Sequence, residues 1–260
     1  MAIEDRRRTW FNFGRVFSRG FSSFRQAMAP ALLITLIFIV APQAVLLWTI
    51  GGLSTSEDFQ RVIESGFGSG LFIAGMVGGI LMWIFAVAAQ TALVHLALSA
   101  QQRRALSFGE SMLTGLRLFL PILGLSILVS LGTALGLLLL IVPGVILMVM
   151  WCVAIPARIH DGPGVTAAME ESGNLTKGVR WQVFAMLLVT GIGLWVVSLL
   201  GSLPAVWMPA DMMKPAVAIL QPLAVGVSSL VTTFGTASLF HELKWGDRDP
   251  NEDATAELFA

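Results

Sequence analysis

The chain alternates long apolar stretches with short polar ones. Five stretches contain no Asp, Glu, Lys, Arg or His, and they cover residues 26–56, 65–94, 118–157, 181–210 and 215–240. A helix that crosses a bilayer needs about 20 consecutive apolar residues, so four of these stretches have room for one crossing each. The pattern therefore predicts an all-α integral membrane protein whose helices cross the bilayer several times.

The third stretch is long enough for two crossings. Its 40 residues would form a helix of about 60 Å, roughly twice the thickness of the hydrocarbon core. The sequence Val-Pro-Gly at 142–144 lies near its middle, and a Pro-Gly pair is a turn signal. We expect two crossings joined by a tight turn there; the alternative is one long kinked helix followed by a re-entrant segment. The preferred interpretation gives six transmembrane helices, at 29–50, 70–98, 119–141, 143–160, 182–203 and 215–240.

The composition also favours a membrane environment. Hydrophobic residues make up 56% of the chain and charged residues 12%, whereas a soluble domain has about 25% charged residues. Such a chain has too few polar side chains to cover a water-soluble globule. The formal net charge is zero, so the charge balance gives no support for nucleic acid as a partner.

The basic residues are distributed asymmetrically. Fourteen of the 16 Lys and Arg residues lie in the N-terminal arm, the second and fourth connections and the C-terminal tail. The positive-inside rule places these segments in the cytoplasm, and Trp48, Trp181 and Trp207 fall where interfacial anchors are expected. The apolar sequence begins only at Ala29, so we expect no cleaved signal. The sequence predicts a multi-pass protein of a bacterial-type inner membrane, with both termini cytoplasmic.

A short amphipathic segment precedes every second span. Apolar residues recur at helical spacing before the first span (Phe13, Phe17, Phe21 and Phe24) and before the third (Phe108, Met112, Leu116 and Phe119), and a similar pattern starts at Val165 before the fifth. We therefore predict three units, at about 9–100, 105–160 and 165–240, each with an interfacial cytoplasmic helix followed by a hairpin. Together they form a single membrane domain at 1–240. An acidic cytoplasmic tail at 241–260 offers a possible contact for a protein partner.

Basic side chains accompany these amphipathic segments. A helix with aromatic residues on one face and basic residues on others is typical of a helix at the headgroup level, and basic clusters next to spans attract anionic lipid. Anionic phospholipid is therefore the expected partner. The predicted headgroup ligands are Arg15, Arg19, Arg25, Arg103, Arg104, Lys177 and Arg180.

The segment from 142 to 184 carries a motif of its own. A Pro-Gly pair is followed by a Trp-containing span that ends in Pro, and then by a helix with small and hydroxyl residues; the positions are Pro143, Gly144, Trp151, Pro156, Ala168, Ser172, Leu175, Thr176, Lys177 and Gly178. This motif resembles the core of the glycerophosphoryl diester phosphodiesterase membrane-domain family and its YciC-type relatives. The resemblance implies a polytopic membrane module that some members fuse to a catalytic phosphodiesterase domain. Such a catalytic barrel needs about 250 residues, for which six spans leave no room, so we expect no enzyme in this chain.

The polar residues form no recognisable catalytic motif. The sequence lacks the nucleophile elbow, the zinc-binding His-Glu-x-x-His motif and the phosphate-binding loop. His95, His160 and His241 lie near predicted cytoplasmic helix ends, where a polar side-chain tip reaches the interface. His160 and Asp161 are adjacent but lack further ligands at metal-binding spacing, and Cys152 lies in an apolar stretch. We predict no metal site and no cofactor.

Three classes of function remain open. The first is a non-catalytic module that interacts with lipid or organises the envelope. The second is a small-solute or lipid transporter or channel subunit, which would use the Ser and Thr faces of the spans, although helix packing is the simpler use of such faces and of the Gly75–Gly79 pair. The third is a membrane-embedded lipid enzyme that would use the polar residues of the cytoplasmic side, namely Glu110, Glu170, Glu171, His160 and Asp161.

Overall fold

The computed structural model describes residues 11–49, 70–102, 108–162, 164–203 and 210–246, and these residues form helices without any strand. In chain order the helices are α1 (Phe13–Gln26), α2 (Met28–Thr35, a π-helical turn at Leu36–Val40, and Ala41–Thr49), α3 (Gly70–Gln101), α4 (Phe108–Leu139), α5 (Ile141–Trp151), α6 (Ala154–Asp161), α7 (Val165–Leu175), α8 (Arg180–Ser202) and α9 (Ala210–Trp245).

Six helical segments within the described residues are long and apolar enough to cross a membrane. They are Met28–Trp48, Gly75–Gln101, Phe108–Leu139, Ile141–Asp161, Arg180–Ser202 and Pro215–Trp245. The prediction of an all-helical protein with six spans is confirmed at this level, and the six apolar helices indicate a multi-pass membrane protein. The predicted anchor Trp207 lies outside the described residues.

One end of the bundle brings together α1, α7 and the last turns of α3, α6 and α9. The amide of Gln101 donates a hydrogen bond to the hydroxyl of Ser238, 3.0 Å away, and this contact places the ends of α3 and α9 side by side. Ion pairs from α9 to α1, α6 and α7 join the same group. We call this end the basic end, because Arg15, Arg19, Arg25, Lys177 and Arg180 all lie there.

Helices α4 and α5 pack closely because glycines line their contact. A Cβ atom added at Gly144 would lie 2.5 Å from the backbone nitrogen of Leu137, and one added at Gly136 would lie 2.9 Å from the Cα of Gly144. A Cβ atom at Gly132 would lie 2.6 Å from the ring of Trp151. Small residues allow two transmembrane backbones to approach each other in this way.

The turn between α4 and α5 lies two residues before the predicted position. Leu140 has an extended backbone (φ −161°, ψ 142°), and α5 starts at Ile141, so Pro143 and Gly144 belong to the first turn of α5. The first backbone N–H groups of a helix have no partner within the helix, so a proline there removes no helical hydrogen bond. Pro143 therefore fits inside the helix that it was expected to precede.

A second proline interrupts the fourth span. Helix α5 ends at Trp151 and α6 begins at Ala154, so the span Ile141–Asp161 consists of two helices. Pro156 lacks an N–H group, and its ring would clash with the carbonyl of the residue four positions earlier in a regular helix. The break at 152–153 follows from that clash.

Three further details differ from the sequence predictions. The segment 108–119 forms no separate helix but the first turns of α4, which continues through Gly115 and Pro121 without a break. Helix α9 continues to Trp245, so residues 241–245 belong to the bundle and the predicted tail starts too early; residues 247–260 lie outside the described part of the chain. The Gly75–Gly79 pair has open space around it and packs against none of the described residues.

Substituting Gly144 by Ala should destabilise the α4–α5 pair, because the new methyl group would overlap the backbone of Leu137. We expect a loss of about 1–3 kcal/mol, the usual cost of overpacking. Gly124→Ala in α4 is the matched control, since no atom lies within 4 Å of its added Cβ. The melting temperature of both variants in detergent measures the effect, and equal values would contradict the close packing.

Candidate functional site

The last two turns of α9 carry the most concentrated set of polar contacts among the described residues. Residues 240–245 read Phe-His-Glu-Leu-Lys-Trp, directly after a predominantly apolar span. Glu242 is fully buried, as are Phe234 and Ser238 at the preceding helical positions on the same face. This end of α9 therefore places a carboxylate on the face that packs against the rest of the protein.

Two arginines from α1 neutralise Glu242. Arg15 Nη2 lies 2.8 Å from Glu242 Oε1, and Arg19 Nη1 lies 3.2 Å from Glu242 Oε2. The arginines are four residues apart, which places them on one side of α1. We call Arg15, Arg19 and Glu242 the Glu242 cluster. It connects the first described helix of the chain to the last.

Small residues allow α1 to lie directly on α9. The buried residues of α1 are Val16, Gly20 and Ser23, which share one face. A Cβ atom at Gly20 would lie 3.2 Å from the hydroxyl of Ser238. Phe24 adds an edge-to-face contact with Phe234, with 5.5 Å between ring centroids.

His241 supports the position of Arg19. Its Nδ1 atom lies 2.8 Å from Arg19 Nη1. An arginine can only donate hydrogen bonds, so Nδ1 accepts and the ring carries its proton on Nε2. The other side of the ring contacts Trp245 at 4.6 Å between centroids.

A second ionic group connects α9 to α6 and α7. Lys244 Nζ lies 2.6 Å from Asp161 Oδ2 and 3.0 Å from Glu171 Oε1. The ammonium group also lies 5.4 Å from the ring centroid of Phe240, within the range of a cation–π contact. We call Lys244, Asp161 and Glu171 the Lys244 cluster. His160 extends it through a contact of 2.9 Å between its Nδ1 and Asp161 Oδ1.

The motif residues that carry the family resemblance have structural contacts. Ser172 is fully buried and donates a hydrogen bond of 2.6 Å to the carbonyl of Met150, in the last turn of α5, where carbonyls lack partners within their own helix. Thr176, also buried, donates to the carbonyl of Ser172 within α7. Gly178 adopts a positive φ of 90°, a conformation that favours glycine, in the turn between α7 and α8. The polar segment after the fourth span is thus a packed connector.

The basic residues predicted as headgroup ligands differ in their surroundings. Arg15 and Arg19 contact Glu242, as described above. Arg25, Lys177 and Arg180 are exposed, and they make no ion pair or side-chain hydrogen bond within the described residues. Arg103 and Arg104 lie outside the described part of the chain.

Exposed aromatic side chains lie beside the exposed cations. Phe13, Phe17 and Phe21 project from α1, and Phe21 is 65% exposed. Trp181 is 82% exposed at the start of α8, directly after Arg180. Arg117 of α4, which the sequence analysis did not select, is also exposed and unpaired within the described residues, beside the exposed Leu116.

The roles of Glu242 and Lys244 were missed because both residues were assigned to the tail. A signal was present, since Phe234, Ser238 and Glu242 recur every four residues and so share one helix face. Continuing the helical pattern beyond Phe240 would have placed the carboxylate on the packing face.

The described residues contain no group of three or more His, Cys, Asp or Glu side chains that could hold a metal ion. No protein-family model matches this chain, and neither a curated protein nor a solved structure matches it.

Replacing Arg15 and Arg19 together by Gln should destabilise the protein strongly, because Glu242 would remain buried without a compensating charge. Loss of one side of a buried ion pair costs about 3–5 kcal/mol. Arg25→Gln, on the same helix but exposed, should have little effect. Unfolding in a denaturing detergent, followed by circular dichroism, compares the variants. Similar stabilities for the double variant and Arg25→Gln would show that the Glu242 cluster contributes little.

Proposed function

We propose that this protein is a non-catalytic multi-pass membrane module that contacts anionic phospholipid at the cytoplasmic face of the inner membrane. The observation that carries the proposal is a set of exposed cations without an ion pair among the described residues, three at the basic end and one on α4, beside exposed apolar and aromatic side chains. The cations are Arg25, Arg117, Lys177 and Arg180.

The three cations and three carboxylates of the internal ion pairs balance, so the excess positive charge comes from the exposed residues, four cations against Glu110 and Glu170. Asp161 and Glu171 contact Lys244, and Glu242 contacts two arginines. These carboxylates are therefore unavailable to the four exposed cations. Phosphate groups of anionic lipids are the natural counterions for basic residues at a membrane surface.

Helix α1 lies along the last turns of α9, and its exposed face supports contact with lipid. With about 3.6 residues per turn, Phe13, Phe17 and Phe21 form a face on one side of the packing residues Val16 and Gly20, while Arg15 and Arg19 lie on the other side. We propose that this aromatic face contacts lipid at the boundary between headgroups and acyl chains.

The three-unit scheme belongs to the same proposal. In each proposed unit a short amphipathic segment comes before a hairpin of two spans. Helix α1 comes before the hairpin of α2 and α3. The first turns of α4 come before the hairpin that the rest of α4 forms with α5 and α6, and α7 comes before the hairpin of α8 and α9. The positive-inside rule then places the basic end, including both termini, in the cytoplasm. The family resemblance, which also implies a membrane module without its own chemistry, agrees with this interpretation.

The second candidate, a transporter or channel subunit, has one observation in its favour. The hydroxyl oxygens of Thr133 in α4 and Thr190 in α8 are buried and have no hydrogen-bond partner among the described residues. A transport route would need such groups to form a continuous polar path.

The lipid proposal is tested by the quadruple variant Arg25→Gln, Arg117→Gln, Lys177→Gln and Arg180→Gln. Each basic residue near an anionic surface contributes about 1 kcal/mol, so affinity for phosphatidylglycerol should fall at least about tenfold. Binding is measured with a fluorescent phosphatidylglycerol in detergent micelles.

The matched control retains every charge: Arg25→Lys, Arg117→Lys, Lys177→Arg and Arg180→Lys should bind nearly as the unaltered protein does. Phosphatidylcholine with the same label reports non-specific partition. An unchanged affinity of the Gln variant for phosphatidylglycerol would refute the proposal.

A further inference from the structure

We infer that Glu242 is an internal competitor for a phosphate-binding site formed by Arg15 and Arg19, and that the phosphate of an anionic phospholipid exchanges with its carboxylate. The inference rests on the proposed function for the class of ligand. It adds a second, gated lipid site that is distinct from the four exposed cations.

The arrangement of the two arginines matches what a phosphate requires. Each oxygen of the Glu242 carboxylate contacts a different guanidinium group, at 2.8 Å and 3.2 Å. Guanidinium groups bind carboxylates and phosphates with the same planar donor geometry. The carboxylate therefore stands where phosphate oxygens would bind.

A ligand can approach the arginines without first displacing Glu242. The side chain of Arg15 is 48% exposed and that of Arg19 is 34% exposed, whereas that of Glu242 is 1% exposed. A phosphate can thus contact the outer side of the Arg19 guanidinium group before the exchange. His241 holds Arg19 during this step through its separate contact.

The exchange would loosen the contact between α1 and α9. Apart from the ion pairs, α1 packs through the small residues Gly20 and Ser23, through Val16, and through Phe24. Ala27, between α1 and α2, is non-helical (φ −100°, ψ 13°), so the chain has a break at which α1 can turn. The bound phosphate and the exposed Phe13, Phe17 and Phe21 would then fix α1 to the lipid surface.

The aromatic face favours a lipid over free phosphate as the ligand. Phe17 and Phe21 lie on the other side of α1 from the arginines, so they would contact neighbouring lipids of the same surface, which inorganic phosphate does not provide. The two sources are separated by competition in the experiment below.

The test compares the affinity for labelled phosphatidylglycerol in detergent micelles of the unaltered protein, Glu242→Gln and Glu170→Gln. Glu170 is an exposed carboxylate of the basic end without an ion pair among the described residues, so its variant makes the same change in net charge. We expect Glu242→Gln to bind at least about fivefold more tightly, a typical coupling between linked sites, and Glu170→Gln to change little. The triple variant Arg15→Gln, Arg19→Gln, Glu242→Gln should not show the increased affinity of Glu242→Gln.

Equal affinities for Glu242→Gln and Glu170→Gln, or a gain that persists in the triple variant, would overturn the inference. Displacement of the probe from Glu242→Gln by millimolar inorganic phosphate would overturn the assignment to lipid. Glu242→Asp, whose shorter carboxylate reaches the arginines less well, should show a smaller gain and serves if the Gln variant does not fold. These outcomes are independent of the quadruple variant, whose failure alone would remove the proposed function.

Discussion

The burial of one carboxylate, Glu242, between two arginines is the constraint on which the basic end depends. A buried charge is tolerated only when a partner compensates the lost hydration, so α1 must lie where Arg15 and Arg19 reach α9. Lys244, two residues further along the same helix, holds Asp161 of α6 and Glu171 of α7 in the same way. The end of α9 therefore forms ion pairs with three other helices, and small side chains and aromatic rings complete the packing between them.

These ion pairs also explain why the polar residues of the basic end divide into two kinds. Some charged side chains form ion pairs between helices of the protein. The remaining cations are exposed and face its surroundings. In the proposed orientation the surroundings at this level are lipid headgroups, which would contact the cations that have no ion pair among the described residues. Two other residues serve the connection between the fourth and fifth spans: Ser172 of α7 donates a hydrogen bond to Met150 of the fourth span, and Gly178 forms the turn that leads into α8.

Features that depend on neighbouring residues, such as the spans, could be predicted from the sequence, whereas contacts between distant segments could not. The six spans follow from hydropathy alone, and the fourth and fifth were placed within a few residues of their observed ends. The turn near Pro143 was misplaced by two residues because a proline fits equally well in the first turn of a helix. The close contact of α4 with α5 through Gly132 and Gly136 was not predicted, since only the partner helix decides which small residues make the contact. The pairing of Glu242 with Arg15 joins opposite ends of the chain, and no local pattern contains it.

The central claim is that α1 is held on α9 at the basic end, and a disulfide in native membranes tests it most directly. In a protein with Cys152 replaced by Ser, Gly20→Cys and Ser238→Cys should form an intrachain disulfide readily, because a Cβ at Gly20 lies 3.2 Å from the Ser238 hydroxyl. Ser22→Cys with Ser238→Cys should remain reduced, since Ser22 is exposed on another face of α1. If the first pair stayed reduced, or if both pairs oxidised at the same rate, α1 would not occupy this position.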